Sequence, residues 1–219
     1  MNGDQVVCGV CGAAGPGGRS DALPEPAEPP DFDTRPGEPL RSTLPRWVER
    51  CGACGYCADD ISRAPAGADA VVASDEYRGY LEDESTPLKA RKFLCFACIL
   101  DRLHQHADAG WAALQAAWVC DDAGDDDAAA RCRNRAIELW QRGKLAGQLF
   151  SDDMATEFAL VTDVYRRLGD FERATVACAE GLDLEDIPPA VETMLRKQLT
   201  LIQARDRAAH SMRELIGTH

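Results

Sequence analysis

Two short cysteine motifs constrain the fold of this chain more than any other feature of its sequence. Cys8-Gly-Val-Cys11-Gly lies near the N-terminus, and Cys51-Gly-Ala-Cys54-Gly repeats the pattern downstream. In such a knuckle a tight turn aims two sulfurs and some backbone N–H groups at one point, and the glycine relieves the backbone. One knuckle supplies half of a tetrahedral zinc site. We therefore expect Cys8, Cys11, Cys51 and Cys54 to hold one structural Zn²⁺ ion that ties the N-terminus to the rest of the protein.

The remaining cysteines leave alternatives open. The chain has ten cysteines, and in a reducing cytoplasm paired CxxC motifs indicate metal binding more often than disulfides. Cys95 and Cys98 form a further CxxC within an apolar helical stretch, with no glycine after it, which favours a place in the core. Two other interpretations stay open: this pair replaces the N-terminal knuckle at the metal, or it is redox-active. Cys57 is expected as a spare thiol able to exchange into the site, and three cysteines are expected in helix packing: Cys120, Cys132 and Cys178.

The segment between the knuckles, residues 12–50, predicts little regular structure, because it holds eight of the twelve prolines and five glycines. We expect an extended loop, with a short strand at Leu44–Glu49 leading into the second knuckle. Asp33 is expected to cap N–H groups of a turn, and a binding pair of Asp33 with Arg35 is the alternative. Structural zinc contributes about 10–16 kcal/mol in small peptides, so chelation is expected to melt residues 1–60 while most helix survives.

Helical periodicity dominates from Pro87 onward. Residues 88–103 give a broad apolar face, and a short helix is expected from Ser74 to Tyr80 within the preceding transition. Gly124, Gly169 and Pro188 separate the later helices, which are expected at about 110–121, 127–144, 152–168, 171–182, 187–204 and 206–216.

Residues 155–188 carry the spacing of a tetratricopeptide repeat (TPR), whose period is about 34 residues. The matching positions are Phe158, Val161, Tyr165, Gly169, Phe171 and Ala174. An earlier hairpin around Gly124 fits the same turn in two registers. One register points Trp111, Leu114 and Trp118 into a concave groove, and the other buries them. The sequence thus predicts a mainly α fold: a zinc-ribbon-like module at 1–60, a connecting segment at 61–86, and TPR-like antiparallel helical hairpins at 87–219.

The whole chain resembles a family of uncharacterised bacterial proteins in which a zinc ribbon with CPxCG knuckles precedes TPR-like helices. Besides the two knuckles, the matching stretches are Leu114–Trp118, Ala136–Trp140 and Arg166–Glu172. Gly9 and Gly52 stand where the family usually has proline, and Cys57 stands where it usually has alanine. None of these departures removes a metal ligand. The resemblance implies an architecture and no known reaction.

Charge and motif content narrow the function. The net charge of −13 disfavours nucleic-acid binding, which depends on neutralising phosphates with Lys and Arg. The sequence has no run of 18 apolar residues, so it predicts no membrane-spanning helix, and it shows no signal peptide. We therefore expect a cytoplasmic protein that does not bind membranes. The acidic turn at 121–127 lacks the order of a calcium loop. The histidines are expected to be ordinary surface residues: His104, His106, His210 and His219.

We therefore expect a non-catalytic zinc protein whose helices form a scaffold for an unidentified protein partner. The groove-facing positions of the later repeat would be Thr156, Ala159, Asp163, Arg166 and Arg167. The main alternative is a thiol- or metal-dependent redox sensor or enzyme that uses the surplus cysteines. A nucleic-acid-binding zinc ribbon is the weakest alternative.

Overall fold

A computed structural model describes residues 5–15 and 22–215 and confirms the mainly helical fold. Its short strands are β1 (Val6–Val7), β2 (Ala14–Gly15), β3 (Glu49–Arg50) and β4 (Cys57–Ala58). Its α-helices are α1 (Ala68–Val72), α2 (Asp75–Glu82), α3 (Leu88–Arg102), α4 (His106–Asp122), α5 (Asp126–Leu145), α6 (Met154–Leu168), α7 (Phe171–Leu182) and α8 (Pro189–Gln203). Within the described ranges, no helix is both long enough and apolar enough to cross a membrane.

Contacts within the chain divide it into two compact units. The first comprises the described residues up to Pro24 together with Ser42–Gly143, and the second comprises Glu25–Arg41 together with the chain from Lys144 onward. The boundaries expected at residues 60 and 86 both lie inside the first unit. The middle of the segment between the knuckles instead belongs with the later helices.

The first unit begins with two small antiparallel hairpins, each built around one knuckle. In β1–β2, Val6 pairs with Gly15, and in β3–β4, Glu49 pairs with Ala58. The helix α2 starts where the sequence predicts, because the Ser74 hydroxyl accepts a hydrogen bond from the Tyr77 amide at its N-terminus.

Helices α3, α4 and α5 form the remainder of the first unit. Helix α3 packs along α4. Gly110 near the start of α4 lies against Trp140 near the end of α5, while Cys120 meets Cys132, so these two helices run antiparallel. Apolar side chains from all three helices, including Phe93, are fully buried.

The second unit is built on the later hairpin. Helices α6 and α7 pack against each other, and α8 contacts both of them. Gly181 of α7 marks the junction, because a Cβ there would lie 2.9 Å from the Phe158 Cβ and 3.0 Å from the Leu195 Cδ1. The absence of a side chain at Gly181 therefore lets α6, α7 and α8 approach one another closely.

A turn with positive φ ends several helices. Such a residue follows each of α3, α4, α5, α6 and α8, and these residues are His104, Gly124, Gly147, Gly169 and Arg205. At Gly124 and Gly169 an aspartate follows directly and caps the next helix, since Asp125 accepts from the Ala128 amide and Asp170 from the Arg173 amide. The two hairpins therefore share one turn, as the sequence predicts.

Two expected elements are wrong. The first half of the strand expected at Leu44–Glu49 belongs instead to a 3₁₀ helix, Arg41–Arg46, because Pro45 lacks the N–H that a strand ladder needs. The strand begins only at Glu49. The α-helix expected at 206–216 is also wrong, because the described part of this range contains only a short 3₁₀ helix, Met212–Leu215.

The C-terminal segment pairs with the loop between the knuckles instead of forming an α-helix. Ser211 bridges to Asp31, the Phe32 amide donates to the His210 carbonyl at 2.9 Å, and the Met212 amide donates to the Pro30 carbonyl at 2.8 Å. Backbone groups that would form hydrogen bonds within an α-helix thus form them with the loop at Pro30 and Phe32 instead.

Candidate metal centre

The first knuckle is a tight turn closed by the backbone. The Gly12 amide donates to the Cys8 carbonyl at 2.8 Å, and the Cys8 amide donates to the Ala13 carbonyl at 3.0 Å. Gly12 has a φ of 72°, a conformation that glycine adopts without the strain of a Cβ. The turn places the Cys11 sulfur on the same side as that of Cys8.

The second knuckle repeats this geometry. The Gly55 amide donates to the Cys51 carbonyl at 3.0 Å, and the Cys51 amide donates to the Tyr56 carbonyl at 2.8 Å. Gly55 has a φ of 81°, and a Cβ there would meet the Leu81 Cδ2 at 2.7 Å. The glycine is therefore required both by the turn and by the helix α2 that lies against it.

The structure brings together the four sulfurs that the sequence predicts as ligands. The Sγ atoms of Cys8 and Cys54 lie 3.8 Å apart, those of Cys11 and Cys51 lie 3.7 Å apart, and all four lie within 4.8 Å of one another. Four thiolates at about 2.3 Å from a central ion would be separated by ~3.8 Å in a tetrahedron. The group therefore has the spacing and donor chemistry to bind a metal ion.

The proton affinities of these thiols differ because each sulfur meets different donors. Burial opposes ionisation of Cys51, but amide donors from Cys54 and Ala53 and the thiols of Cys8 and Cys11 outweigh it and lower its pKa to about 6. Burial, together with the neighbouring thiols, raises the pKa of Cys54 to about 12. Burial also raises the pKa of Cys8. Protons therefore compete with a metal for this site.

Cys95 and Cys98 do not join the sulfur group. Both lie on α3 and are buried, Cys98 to 2% exposure, and the cluster of four formed by the described residues contains neither. Cys57 is also buried, and its backbone amide donates to the Tyr77 hydroxyl at 2.9 Å. That hydroxyl donates to the Gly55 carbonyl at 3.0 Å. The expected spare thiol is thus part of the packing beneath the second knuckle.

Two neighbouring thiols lie between β4 and α3. The Cys57 thiol donates to the Gly55 carbonyl at 3.3 Å, and the neighbouring Cys95 thiol lowers the pKa of Cys57, while the pKa of Cys95 is raised. Tyr77 also contacts this pair. The sequence gives no sign of this arrangement, because the three residues come from three elements and share no motif.

Lys92 provides a second support that the sequence does not reveal. Its Nζ donates to the carbonyls of Pro45 and Val48, both at 2.8 Å, and burial lowers its pKa. The two carbonyls lie just before β3, so the ammonium fixes the approach of the chain to the second knuckle.

The cysteines of the later helices lie in the interior, as expected. The sulfurs of Cys120 and Cys132 are 4.0 Å apart between α4 and α5, and their hydrogen bond raises the pKa of Cys132. Burial raises the pKa values of Cys98 and Cys178 to about 11. The raised pKa values keep Cys98, Cys132 and Cys178 protonated at neutral pH, which makes these three thiols poor nucleophiles.

The groove-facing positions expected in the later repeat are largely covered by the chain itself. Ala159, Asp163 and Arg166 are buried, Arg166 completely. The Arg166 guanidinium donates to the carbonyls of Asp206 and Ala208 at 2.8 and 2.9 Å and to Asp163 at 2.6 Å.

The segment between the knuckles covers the same face of α6. Arg167 contacts the Asp33 carboxylate at 3.4 Å. Asp33 also accepts from the Arg35 amide at 3.2 Å, which is the turn cap predicted from the sequence. Asp153 caps the start of α6, where its carboxylate accepts from the Thr156 amide at 2.8 Å. The expectation of a groove open to a partner at these positions is therefore wrong for Ala159, Asp163 and Arg166.

The aromatic row of α4 follows the buried register for two of its three members. Leu114 is fully buried and Trp118 is 2% exposed. Trp111 is half-buried and contacts Trp140 edge-on, with ring centroids 5.4 Å apart. Trp111 is thus the member of the row that still reaches a surface.

Three histidines have structural partners. His104, with a φ of 60°, lies in the turn after α3, and His106 begins α4. Their ring centroids are 5.8 Å apart, and His106 pairs with buried Asp101 at 2.8 Å. His210 contacts Asp206 and Glu214, and His219 lies outside the described residues.

Comparison of this chain with protein-family models, curated proteins and solved structures found no match.

Proposed function

We propose that this protein is a structural zinc protein whose helices serve as a scaffold for a protein partner. The observation that carries the proposal is the convergence of four sulfurs from two matching knuckles to within 4.8 Å. Four cysteine thiolates form a closed site, with no position left for a substrate, and such sites stabilise folds. The resemblance to zinc-ribbon proteins with TPR-like helices supports the same assignment, and the cytoplasm suits a site of reduced thiols.

Zinc is the metal that this donor set favours. Soft thiolates in a tetrahedral arrangement select Zn²⁺ or an iron–sulfur centre over hard cations such as Mg²⁺ and Ca²⁺. The four sulfurs meet within a volume that holds one ion, and the backbone turns present amide donors to Cys51 and Cys8. The ion's role is to join the N-terminal hairpin to the second knuckle, since the two knuckles lie far apart in the sequence.

A redox role is the second candidate, favoured by two pairs of neighbouring thiols. The sulfurs of Cys120 and Cys132 are 4.0 Å apart, and Cys57 neighbours Cys95. Against it, all four thiols are buried, and the pKa values of Cys95 and Cys132 are raised. A reactive cysteine needs an accessible thiolate. The scaffold proposal accounts for these residues as core packing.

Metal analysis of purified full-length variants tests the zinc assignment. The wild-type chain is expected to carry one zinc per molecule, measured by inductively coupled plasma mass spectrometry under native conditions. Cys8→Ser and Cys54→Ser should each lose the metal, whereas Cys95→Ser should keep it. Loss of zinc in a folded Cys95→Ser protein, or a wild-type protein that binds iron, would count against the assignment.

The scaffold part requires a separate measurement. A tagged zinc-loaded chain, cross-linked in the cells that produce it, is expected to recover a defined partner in repeated captures. A chain that stays unpartnered under these conditions and turns over a thiol substrate would favour the redox candidate.

A further inference from the structure

A cavity of about 940 Å³ lies within the first unit. One wall is the chain that leaves the second knuckle, from Tyr56 to Pro65, and the opposite side is formed by α3 and α4. Its volume is at the upper end of the range for binding sites of about 300–1,000 Å³. It is separate from the four sulfurs and uses none of them.

The floor of this cavity is apolar and follows the helical repeat. From α3 it takes Phe96, Leu100 and Leu103, spaced i, i+4 and i+7, and all three are half-buried. From α4 it takes Trp111, also half-buried. A span of seven residues on a helix is ~10 Å, or two turns. The floor is therefore the seam between two packed helices, and ridges of a third helix fit such a seam.

The rim of the cavity favours a cationic partner. Asp59 lies on the knuckle wall and Asp108 on the first turn of α4, and both are exposed. Arg63 is the cation of this rim, and it is engaged by Asp60 at 3.1 Å. The whole chain carries a net charge of −13. An apolar floor between two carboxylates is complementary to a segment with apolar anchors and basic flanks.

We propose that this groove binds an amphipathic, basic helical segment of a partner protein. About two turns of that helix would place apolar side chains at i, i+3 or i+4 and i+7 over Phe96, Leu100, Leu103 and Trp111. Lysine or arginine at its edges would face Asp59 and Asp108. This mode of recognition lays the apolar face of a helix into a hydrophobic groove. The inference rests on the proposed scaffold function and assigns it a surface, which the covered face of α6 does not offer.

A peptide titration of the zinc-loaded full chain tests the groove. The probe is a fluorescein-labelled synthetic peptide of about 15 residues with leucines at i, i+4, i+7 and i+11 and lysines on the other face. Fluorescence anisotropy is expected to show saturable binding to one site. A scrambled peptide of the same composition is expected to bind at least about tenfold more weakly, because it cannot form the apolar stripe.

Matched charge reversals locate the binding site. Asp108→Lys is expected to weaken binding about fivefold to tenfold, since it places a cation at the rim. Asp127→Lys is the control, because Asp127 is also exposed in the first turn of a helix, α5, but does not line the cavity. Leu103→Glu is expected to abolish binding. Circular dichroism of each variant checks that the helices remain.

Four results would overturn the inference. The first is a scrambled peptide that binds as tightly as the designed one, and the second is an equal loss of peptide affinity in Asp108→Lys and Asp127→Lys. The third is a small apolar dye that binds in the groove and is not displaced by the peptide. The fourth is a dimer in sedimentation that dissociates when Leu103→Glu is introduced, because a second copy of the chain would then cover the groove. Failure of the groove alone remains distinguishable from failure of the scaffold function. In that case the cellular partner is still captured, and Asp108→Lys does not reduce its recovery.

Discussion

Gly110→Ala offers a sharp test of how α4 and α5 are packed. A Cβ at position 110 would lie closer than 3.0 Å to three atoms of the Trp140 indole, Cδ1, Nε1 and Cγ. Trp140 is 2% exposed, so its ring has no free space into which it can rotate. The added methyl must displace α5 or force the indole away from its preferred rotamer.

The expected magnitude follows from two opposing terms. Overpacking of a close-packed interior costs about 1–3 kcal/mol, and the severity of this contact places it at the upper end. Replacement of glycine by alanine inside a helix contributes about 1 kcal/mol in the favourable direction. The net effect is expected to be a loss of about 2 kcal/mol in the free energy of unfolding.

Gly79→Ala is the matched control. Gly79 lies inside α2, and a Cβ there meets no atom within 4 Å. This substitution is expected to stabilise the first unit by up to about 1 kcal/mol. The two variants make the same chemical change in two helices of one unit, so opposite signs would isolate the contact with Trp140.

Tryptophan fluorescence during urea unfolding measures both variants. All four tryptophans, Trp47, Trp111, Trp118 and Trp140, belong to the first unit, so the signal follows the unfolding of that unit. The fitted midpoint and slope then give a free energy for that unit. A Gly110→Ala protein as stable as the wild type would show that α4 and α5 are not in the contact described.

Three further measurements address other parts of the molecule. Arg166→Met leaves the Asp163 carboxylate buried without its partner and is expected to lower the free energy of unfolding by about 3–5 kcal/mol, whereas the double change with Asp163→Leu should lower it much less. Faster amide hydrogen exchange of α6 in the double variant than in the single variant would contradict this. Zinc affinity, measured by chelator competition, is expected to rise at least about 100-fold per pH unit near neutrality, because burial raises the pKa values of Cys8 and Cys54 and at least these two protons must leave. A pH-independent affinity would contradict the site. Alkylation mapped by mass spectrometry is expected to modify the knuckle cysteines only after zinc is removed by a chelator. Cys178 is expected to stay unmodified with and without zinc, since that thiol is buried and its pKa is raised to about 11. Rapid labelling of Cys178 in the zinc-loaded protein would favour a redox role.

The knuckles and the hairpin turns could be predicted from the sequence because their determinants are local. A cysteine pair with a following glycine fixes its own turn, and Gly124 or Gly169 followed by aspartate ends one helix and caps the next. These signals span only a few residues. They are readable without knowledge of the rest of the fold.

The cover on α6 could not be predicted in the same way. Arg167 and Asp33 are 134 positions apart in the sequence, and no sequence motif contains both of them. Periodicity correctly placed Asp163 and Arg166 on one face of a helix, but it could not show that residues 206–208 bind that face. The false helix at 206–216 has the same origin, since its backbone groups find partners at Pro30 and Phe32.

The thiol pairs show a related limit. Cys57 seemed a spare ligand because it follows a knuckle, yet the structure places it against Cys95 and Tyr77 in the interior. Sequence spacing identifies ligands that act together within one turn. It does not identify contacts between a strand and two helices.

Glu25–Arg41 belongs to the second unit, and this affects both folding during synthesis and the design of truncated chains. A ribosome delivers this proline-rich stretch long before α6, α7 and α8 exist, so it must wait unpacked while the first unit assembles. A shortened gene product that begins at residue 87 would keep every helix of the later hairpin but would uncover Arg167 and the edge at Ser211. Such a truncation is expected to leave backbone N–H and C=O groups near Ser211 without the hydrogen-bond partners that Pro30 and Phe32 provide in the full chain. For this reason the two units are better studied as one polypeptide.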